Sequence, residues 1–386
     1  MDLTWTEEEQ AFRAEARAWL REHLEQWRHE VGENIPSVDT ADGFARHLVW
    51  ERMLYQDRWN VITWPKAFGG RDATLWEWLI FEDEYYRAGG PSRATQNGIF
   101  LLGPSLFEFG TETQRDYILP RMAACEDLWC QGWSEPAAGS DLANIRTKAT
   151  KVDGGWVLNG QKTWTTRGAY CTHVFGLFRS DPSSTRHRGL TYLLVPLELE
   201  GITVRGFGRL DGDHGFAEVF FEDAFLPDEL AYGSPVLGDV NKGWSIAMAT
   251  TRSERGLTTR PPARYTASMK RLIELYRAKG SPSGLRDKLL ELWTKVEAYE
   301  VQTLQVVTDT VEGRPAGAET SFVKLWWSEF DVQLNALALD LLGPDAEIDG
   351  SWPRAWMFSL AGPIYAGTNE IQRNITAERV LGLPRV

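Results

Sequence analysis

The chain has 386 residues, 43 % of them apolar and 25 % charged, with a net charge of −13; that is length for two or three domains of ordinary globular composition. The charge is spread without a basic tail or stripe, which argues against nucleic acid as a partner, and no apolar run reaches membrane-spanning length. The acidic start, Met1-Asp2-Leu3-Thr4-Trp5-Thr6-Glu7-Glu8-Glu9, lacks the layout of a signal peptide, so a cytoplasmic location is expected, and three cysteines (Cys125, Cys130, Cys171) without C-x-x-C spacing exclude a disulfide framework and a zinc ribbon.

Thr6 and Glu9 have the spacing of a capping box and open a helical pattern in which Phe12, Ala16, Trp19 and Leu24 recur. Trp64-Pro65-Lys66-Ala67-Phe68-Gly69-Gly70 breaks it with turn chemistry. A second helical stretch carries Leu79, Ile80, Glu84 and Tyr85 and stops at Gly89-Gly90-Pro91. Residues 1–120 therefore read as an all-helical unit. From 121 to 233 the texture changes. Residues 172–178, 190–195 and 217–221 have strand character, with Asp211-Gly212-Asp213 as a turn, which predicts an antiparallel β-domain. Helices return over 234–386: one begins near Lys242 and should end or kink at Pro261-Pro262, another places Leu285, Leu289, Leu292, Val296 and Tyr299 on one face, and a third covers 323–342. The fold class predicted is α+β, with strands between two helical segments.

Familiar catalytic signals are missing: there is no G-x-G-x-x-G after a strand, no phosphate-binding G-x-x-x-x-G-K, no H-E-x-x-H and no G-x-S-x-G, and six histidines give no metal-ligand spacing. Two stretches stand out. The first runs Cys130-Gln131-Gly132-Trp133-Ser134-Glu135-Pro136-Ala137-Ala138-Gly139-Ser140-Asp141 and resumes as Asn159-Gly160-Gln161-Lys162-Thr163-Trp164-Thr165-Thr166. The second is Ile364-Tyr365-Ala366-Gly367-Thr368-Asn369-Glu370-Ile371-Gln372-Arg373-Asn374. Gly139 permits close approach of the main chain, Ser134, Ser140, Thr165 and Thr166 supply hydroxyls, and Trp133 and Trp164 supply flat apolar faces. That mixture suits a planar, polar, phosphate-bearing cofactor. By residue chemistry alone it suits glycine-rich turns with no ligand equally well.

Both stretches resemble the signature regions of the acyl-CoA dehydrogenase family, and the likeness extends over nearly the whole chain: Trp64-Pro65-Lys66, Arg71, Gly110-Thr111-Glu112 and Leu119-Pro120 also stand where that family has such residues. The resemblance implies an N-terminal helical domain, a middle β-domain and a C-terminal four-helix bundle, with FAD as cofactor, an acyl-CoA thioester as substrate and an electron-transfer flavoprotein as electron acceptor. It places Trp133, Ser134, Trp164 and Thr166 along the flavin ring, with Thr166 toward N5 and Gly139 and Thr165 in the same motifs. Thr368 and Glu370 contact the cofactor from the second stretch, and Ser140 touches the ligand chain. The oxygen of the developing enolate is met by a main-chain N–H, here that of Ala366.

The sequence departs from the commonest family pattern at one point that matters for catalysis. Many members carry the catalytic glutamate where this chain has Ala366, and alanine cannot take a proton. A branch of the family places it on a helix ahead of an arginine instead, and Ser253-Glu254-Arg255 stands there. Glu254 is therefore the expected base, with Arg255 directed toward the coenzyme A phosphates. Adjacent helical positions point about 100° apart, so the two can serve different groups; an idle solvated Glu–Arg pair is the alternative. Two motifs with which members reach a partner's FAD are altered: the first stands as Arg277-Ala278-Lys279-Gly280, which lacks the phenylalanine but keeps Arg277 as an expected FAD contact, and the second as Asp340-Leu341-Leu342-Gly343-Pro344. A homodimer or homotetramer is expected, with a heteromer of related subunits as the alternative. A flavin oxidase or monooxygenase on the same fold is a further one. For the acyl group, the expectation is a bulky, branched or ring-bearing thioester, as in fatty-acid, steroid or branched-acyl catabolism.

Overall fold

The first helix starts where the sequence signals it. In the computed structural model, Thr6 N donates to Glu9 Oε2 at 2.8 Å and Glu9 N to Thr6 Oγ1 at 3.2 Å, a closed capping box. The structure describes residues 4–254, 260–314 and 319–384, and of Ser253, Glu254, Glu319 and Thr320 the backbone alone. The helices are α1 (Glu7–Val31), α2 (Ala41–Gln56), α3 (Leu75–Arg87), α4 (Gly103–Phe109), α5 (Glu112–Ala123), α6 (Gly243–Glu254), α7 (Pro262–Ala278), α8 (Arg286–Val311), α9 (Glu319–Leu342), α10 (Ser351–Ser359) and α11 (Asn369–Ile375). Between α5 and α6 lie β1 (Trp129–Gly132), β2 (Lys148–Val152), β3 (Gly155–Thr166), β4 (His173–Arg179), β5 (Leu190–Pro196), β6 (Ile202–Phe207), β7 (Phe216–Pro227) and β8 (Val236–Leu237).

The chain divides into two compact units that do not follow chain order: residues 25–73 with 91–254, and residues 1–24 with 74–90 and 255–386. The first unit holds the sheet, in the order β6-β7-β3-β2-β4-β5-β8, with β1 attached to β4. Most neighbours are antiparallel, as the alternation of short strands and turns predicts. β1 and β4 instead run parallel, with Trp129 opposite His173, and β2 meets β4 in parallel at Lys148 and Arg179. The cause is connection length: β2 and β3 intervene between β1 and β4, so the chain returns by a crossover rather than a hairpin. β5 is buried along its whole length. One of its faces, with Leu190, Tyr192 and Leu194, packs in a core with α4, α5 and α6 residues such as Leu106, Ile118 and Ile246. Leu193 and Val195 point into a second core made almost wholly of strand side chains. Burial on both faces explains why this strand reads as a continuous apolar run. In the same unit, Gly70 is required by close approach: a Cβ there would lie 1.9 Å from the carbonyl oxygen of Trp64.

The second unit is a helical assembly. α7, α8 and α9 share a core of Tyr265, Met269, Leu272, Leu289, Leu292, Val296, Tyr299, Trp327, Phe330 and Leu334; of the face predicted for α8, Leu285 lies just before the helix and is only partly buried against this core. Pro262 opens α7 at a position where its missing N–H costs nothing. α3, started by a capping box between Thr74 and Glu77, packs on α7 and α8. Its buried Glu84 accepts from Arg17 at 2.8 Å and from Arg13 at 3.0 Å. Among the described residues no helix is long and apolar enough to cross a membrane, and no cluster of side chains suits a metal ion. All three cysteines are free; Cys125 and Cys130 are buried and Cys171 partly so.

Candidate active site

In the sheet unit, the two halves of the first sequence stretch are brought side by side. β1 ends at Gly132 and the chain turns through Trp133–Asp141. The Ser134 carbonyl accepts from Thr163 N at 2.9 Å, and Glu135 and Ala138 exchange two main-chain bonds of 3.0 Å. Beneath this turn lies an ion pair. Lys162 is fully buried, and its Nζ donates to Glu135 Oε1 at 2.7 Å, to Leu177 O at 2.7 Å and to Trp133 O at 3.4 Å. Glu135 also accepts from the main-chain N–H of Arg146 and Thr147 at 2.6 and 2.9 Å. Burial pushes the carboxyl up, but Lys162 and these donors hold it below the ordinary range. Burial in turn pushes the Lys162 ammonium down, against the pull of Glu135, and the pair locks the Trp133–Glu135 turn to β3.

β3 carries a bulge after Lys162, and there Trp164 takes a left-handed backbone with φ 58°. The bulge decides what each side chain does. Trp164 is 60 % exposed, its ring edge-on to Phe207 and Phe216. Thr165 is fully buried, Thr166 half-buried at the strand end. After them Arg167, also left-handed at φ 55°, turns its guanidinium onto Asp39 at 2.7 Å, which Arg209 meets from another side at 2.6 Å. Gly139 and Ser140 are exposed, and a Cβ at Gly139 would find nothing within 4 Å.

The turn is also short of hydrogen-bond partners. Among the described residues the buried Trp133 Nε1, Thr165 Oγ1, Gln131 Nε2 and Trp129 Nε1 have none. Such groups are costly unless something satisfies them. In β1, Trp129 and Gln131 alternate onto one face, and Trp133, just beyond the strand, packs in the same core as Trp129. The flavin ring is flat, apolar in its body and rimmed with oxygen and nitrogen acceptors. Donors without partners, a bare tryptophan face and open space at Gly139 fit such a group. Gln131 was not singled out from the sequence. Its signal was there, two residues before Trp133 on a strand.

In the helical unit, the second stretch forms a tight turn ahead of α11. Ala366 and Gly367 are consecutive left-handed residues, φ 56° and 82°. Thr368 caps α11 by accepting from Ile371 N at 3.3 Å. Glu370 is exposed, and its carboxylate is held low by its own main-chain N–H and by the Thr368 hydroxyl. The turn is gripped from below by Gln372, fully buried, whose Nε2 donates to the carbonyls of Ala366 and Gly367 at 3.2 and 3.3 Å. Asn369 Oδ1 accepts from Lys324 Nζ at 2.8 Å and from Ser328 Oγ at 3.1 Å. Gln372, Asn369 and Lys324 are support residues that sequence reasoning did not select, because only burial separates them from ordinary polar side chains. Arg277 is exposed near the end of α7. Glu254 closes α6 in the sheet unit, and its side chain, like all of Arg255, lies outside the described residues.

Comparison with known proteins settles the family. The models for the N-terminal, middle and C-terminal domains of acyl-CoA dehydrogenases match residues 6–126, 130–224 and 241–381. The chain belongs to the acyl-CoA dehydrogenase family. It is 38 % identical over 384 residues to the acyl-CoA dehydrogenase IpdE1 of Mycobacterium tuberculosis, covering 97 % of each chain. A 2-methylacyl-CoA dehydrogenase of Solanum tuberosum is 27 % identical over 352 residues, covering 87 % of this chain and 83 % of that one. Among solved structures, the ChsE4–ChsE5 complex from M. tuberculosis superposes with a TM-score of 0.83 at 25 % identity, covering all of both chains. The chain is thus an oxidoreductase of this family, with FAD as its cofactor.

Proposed function

We propose that the enzyme removes the α-proton and the β-hydride of an acyl-CoA thioester, with Glu254 as the base and the Ala366 N–H binding the thioester oxygen. FAD, when bound, supplies the hydride acceptor. Trp133, Ser134, Trp164 and Thr166 are the residues of the sheet unit that would hold its ring, and Thr368 and Glu370 those of the helical unit. The α-proton of a thioester is weakly acidic, so a fixed donor at the oxygen is needed as charge develops there. Arg255 meets the phosphates of coenzyme A.

The observation that carries this reading is residue 366. The turn keeps the left-handed geometry and the Thr368 cap, yet the side chain there is a methyl group. A base must come from elsewhere, and Glu254, the terminal residue of α6, is the candidate. Glu254→Gln is expected to retain FAD and to lose turnover by about a thousandfold or more, as loss of the group that takes the proton implies. Activity near that of the unmodified enzyme would sink the assignment.

For the acyl group we propose a branched or ring-bearing chain; the likeness to a 2-methylacyl-CoA dehydrogenase supports branching near the thioester. Anaerobic bleaching of the flavin by straight, branched and cyclic acyl-CoA compounds tests it. A heteromer is the second reading, favoured by the altered Arg277–Gly280 and Asp340–Pro344 segments and by the likeness to a complex of two chains. Tight FAD and full activity in the chain purified alone would remove it.

A further inference from the structure

Two residues ahead of α7, Arg260 joins three elements of the helical unit. Tyr299 of α8 donates its hydroxyl to Arg260 O at 2.8 Å, which fixes the main chain. The guanidinium lies 4.9 Å from the ring centre of Trp327 on α9 and 5.3 Å from that of Tyr365, within range of cation–π attraction. Its Nη2 donates to the Tyr365 hydroxyl at 3.0 Å. Trp327 and Tyr365 are themselves neighbours, ring centres 5.9 Å apart and planes 31° apart. The side chain next to the unusual Ala366 turn is thus held by a cation that cannot deprotonate at ordinary pH.

The turn needs such a hold. A non-glycine residue in the left-handed region costs about 1 kcal/mol or more and persists only where its surroundings over-determine it. Gln372 and Asn369 secure the side leading into α11. On the other side, Tyr365 donates its main-chain N–H to Ala361 O at 3.1 Å, and its hydroxyl is taken by Arg260. A rotation of the Tyr365–Ala366 peptide would redirect the Ala366 N–H.

We propose that Arg260 is a positioning residue for the reaction: through Tyr365 it fixes the direction of the Ala366 N–H, the donor to the thioester oxygen. The proposal rests on the reading of Ala366 given above, and the test separates the two. The probe is a CoA thioester of para-dimethylaminocinnamic acid, whose absorption moves to the red when its carbonyl is polarised. It is added to the FAD-loaded enzyme, to Arg260→Met, to Arg260→Lys and to Tyr365→Phe, alongside kcat, KM and flavin content.

Arg260→Met and Tyr365→Phe are expected to lose most of the red shift and to lower kcat about 10- to 100-fold, less than the direct loss of an oxyanion donor. KM and flavin content stay within about threefold, because the donor's bond is much stronger to the charge of the transition state than to the ground-state carbonyl. Arg260→Lys recovers part of both signals. Should Arg260→Met not fold, Tyr365→Phe, which keeps the ring, decides. A full red shift in these variants, with or without a fall in kcat, overturns the role of Arg260. An unshifted spectrum in the unmodified enzyme overturns the reading of Ala366 itself, and the role of Arg260 with it.

Discussion

Glu135→Gln is the sharpest test of how the turn after β1 is built. The substitution keeps shape and removes one charge, leaving the Lys162 ammonium fully buried with two carbonyls and no counter-ion. Breaking a buried ion pair from one side costs about 3–5 kcal/mol. For a unit of roughly 200 residues, each kcal/mol moves Tm by about 2–4 °C, so a fall of about 10 °C is expected. Because the same pair fixes the Trp133–Glu135 turn against β3, flavin content should fall with it. Urea denaturation followed by tryptophan fluorescence, and the flavin absorbance per protein, are the measurements. Adding Lys162→Met to Glu135→Gln removes the stranded charge and should return about half or more of the lost stability. A single variant within about 1 kcal/mol of the unmodified protein, or a double variant no better than the single, would refute the reasoning.

Acid sensitivity follows from Asp39. Burial pushes its carboxyl up, but Arg167 and Arg209 outweigh that and hold it below its ordinary value. Its stabilisation is therefore complete above the unfolded pKa of about 4 and is lost as pH falls through the lower folded value. Asp39→Asn should flatten the dependence of the urea midpoint on pH below about pH 4 and lower the midpoint at neutral pH; an unchanged acid limb would contradict this. Gln131→Leu should leave the flavin-free protein as stable or more so, since it removes a buried amide nitrogen that has no partner among the described residues. FAD affinity should fall about tenfold, the worth of one hydrogen bond to the ligand. Unchanged affinity, by flavin fluorescence titration, would show that the amide faces no ligand.

How much of this was legible from the residues depends on where the information sits. The capping boxes at Thr6 and Thr74 obey local rules, although only Thr6 was read as one; the apolar face of α8 is equally local. The strand character of 190–195 was visible, but its burial on both faces was not, because a run of apolar residues does not say what covers it. The parallel pairing of β1 with β4 needed the course of the chain between them. In the site, Trp133, Trp164 and Ala366 are conspicuous by type and motif. What supports them is not. Lys162 stood inside a quoted motif, yet its pairing with Glu135 depends on a strand register set 27 residues away. Arg260 reaches Tyr365 across 105 residues of sequence, and nothing local marks it. The bulge that buries Thr165 between Trp164 and Thr166 is likewise a property of the β3–β7 pairing, not of the triplet.

The interleaved division of the chain bears on how it is made. Synthesis supplies α3 long before α7 and α8, the helices it packs on. Until then its apolar residues Trp78, Ile80, Phe81 and Tyr85, each 3 % exposed or less in the finished fold, have no permanent cover. At about 5–20 residues per second, ribosomes need about 10–40 s to bridge that interval. For that time α3 waits as an uncovered apolar helix, because the sheet unit, complete only at residue 254, is itself still being made and the helices that cover α3 come last.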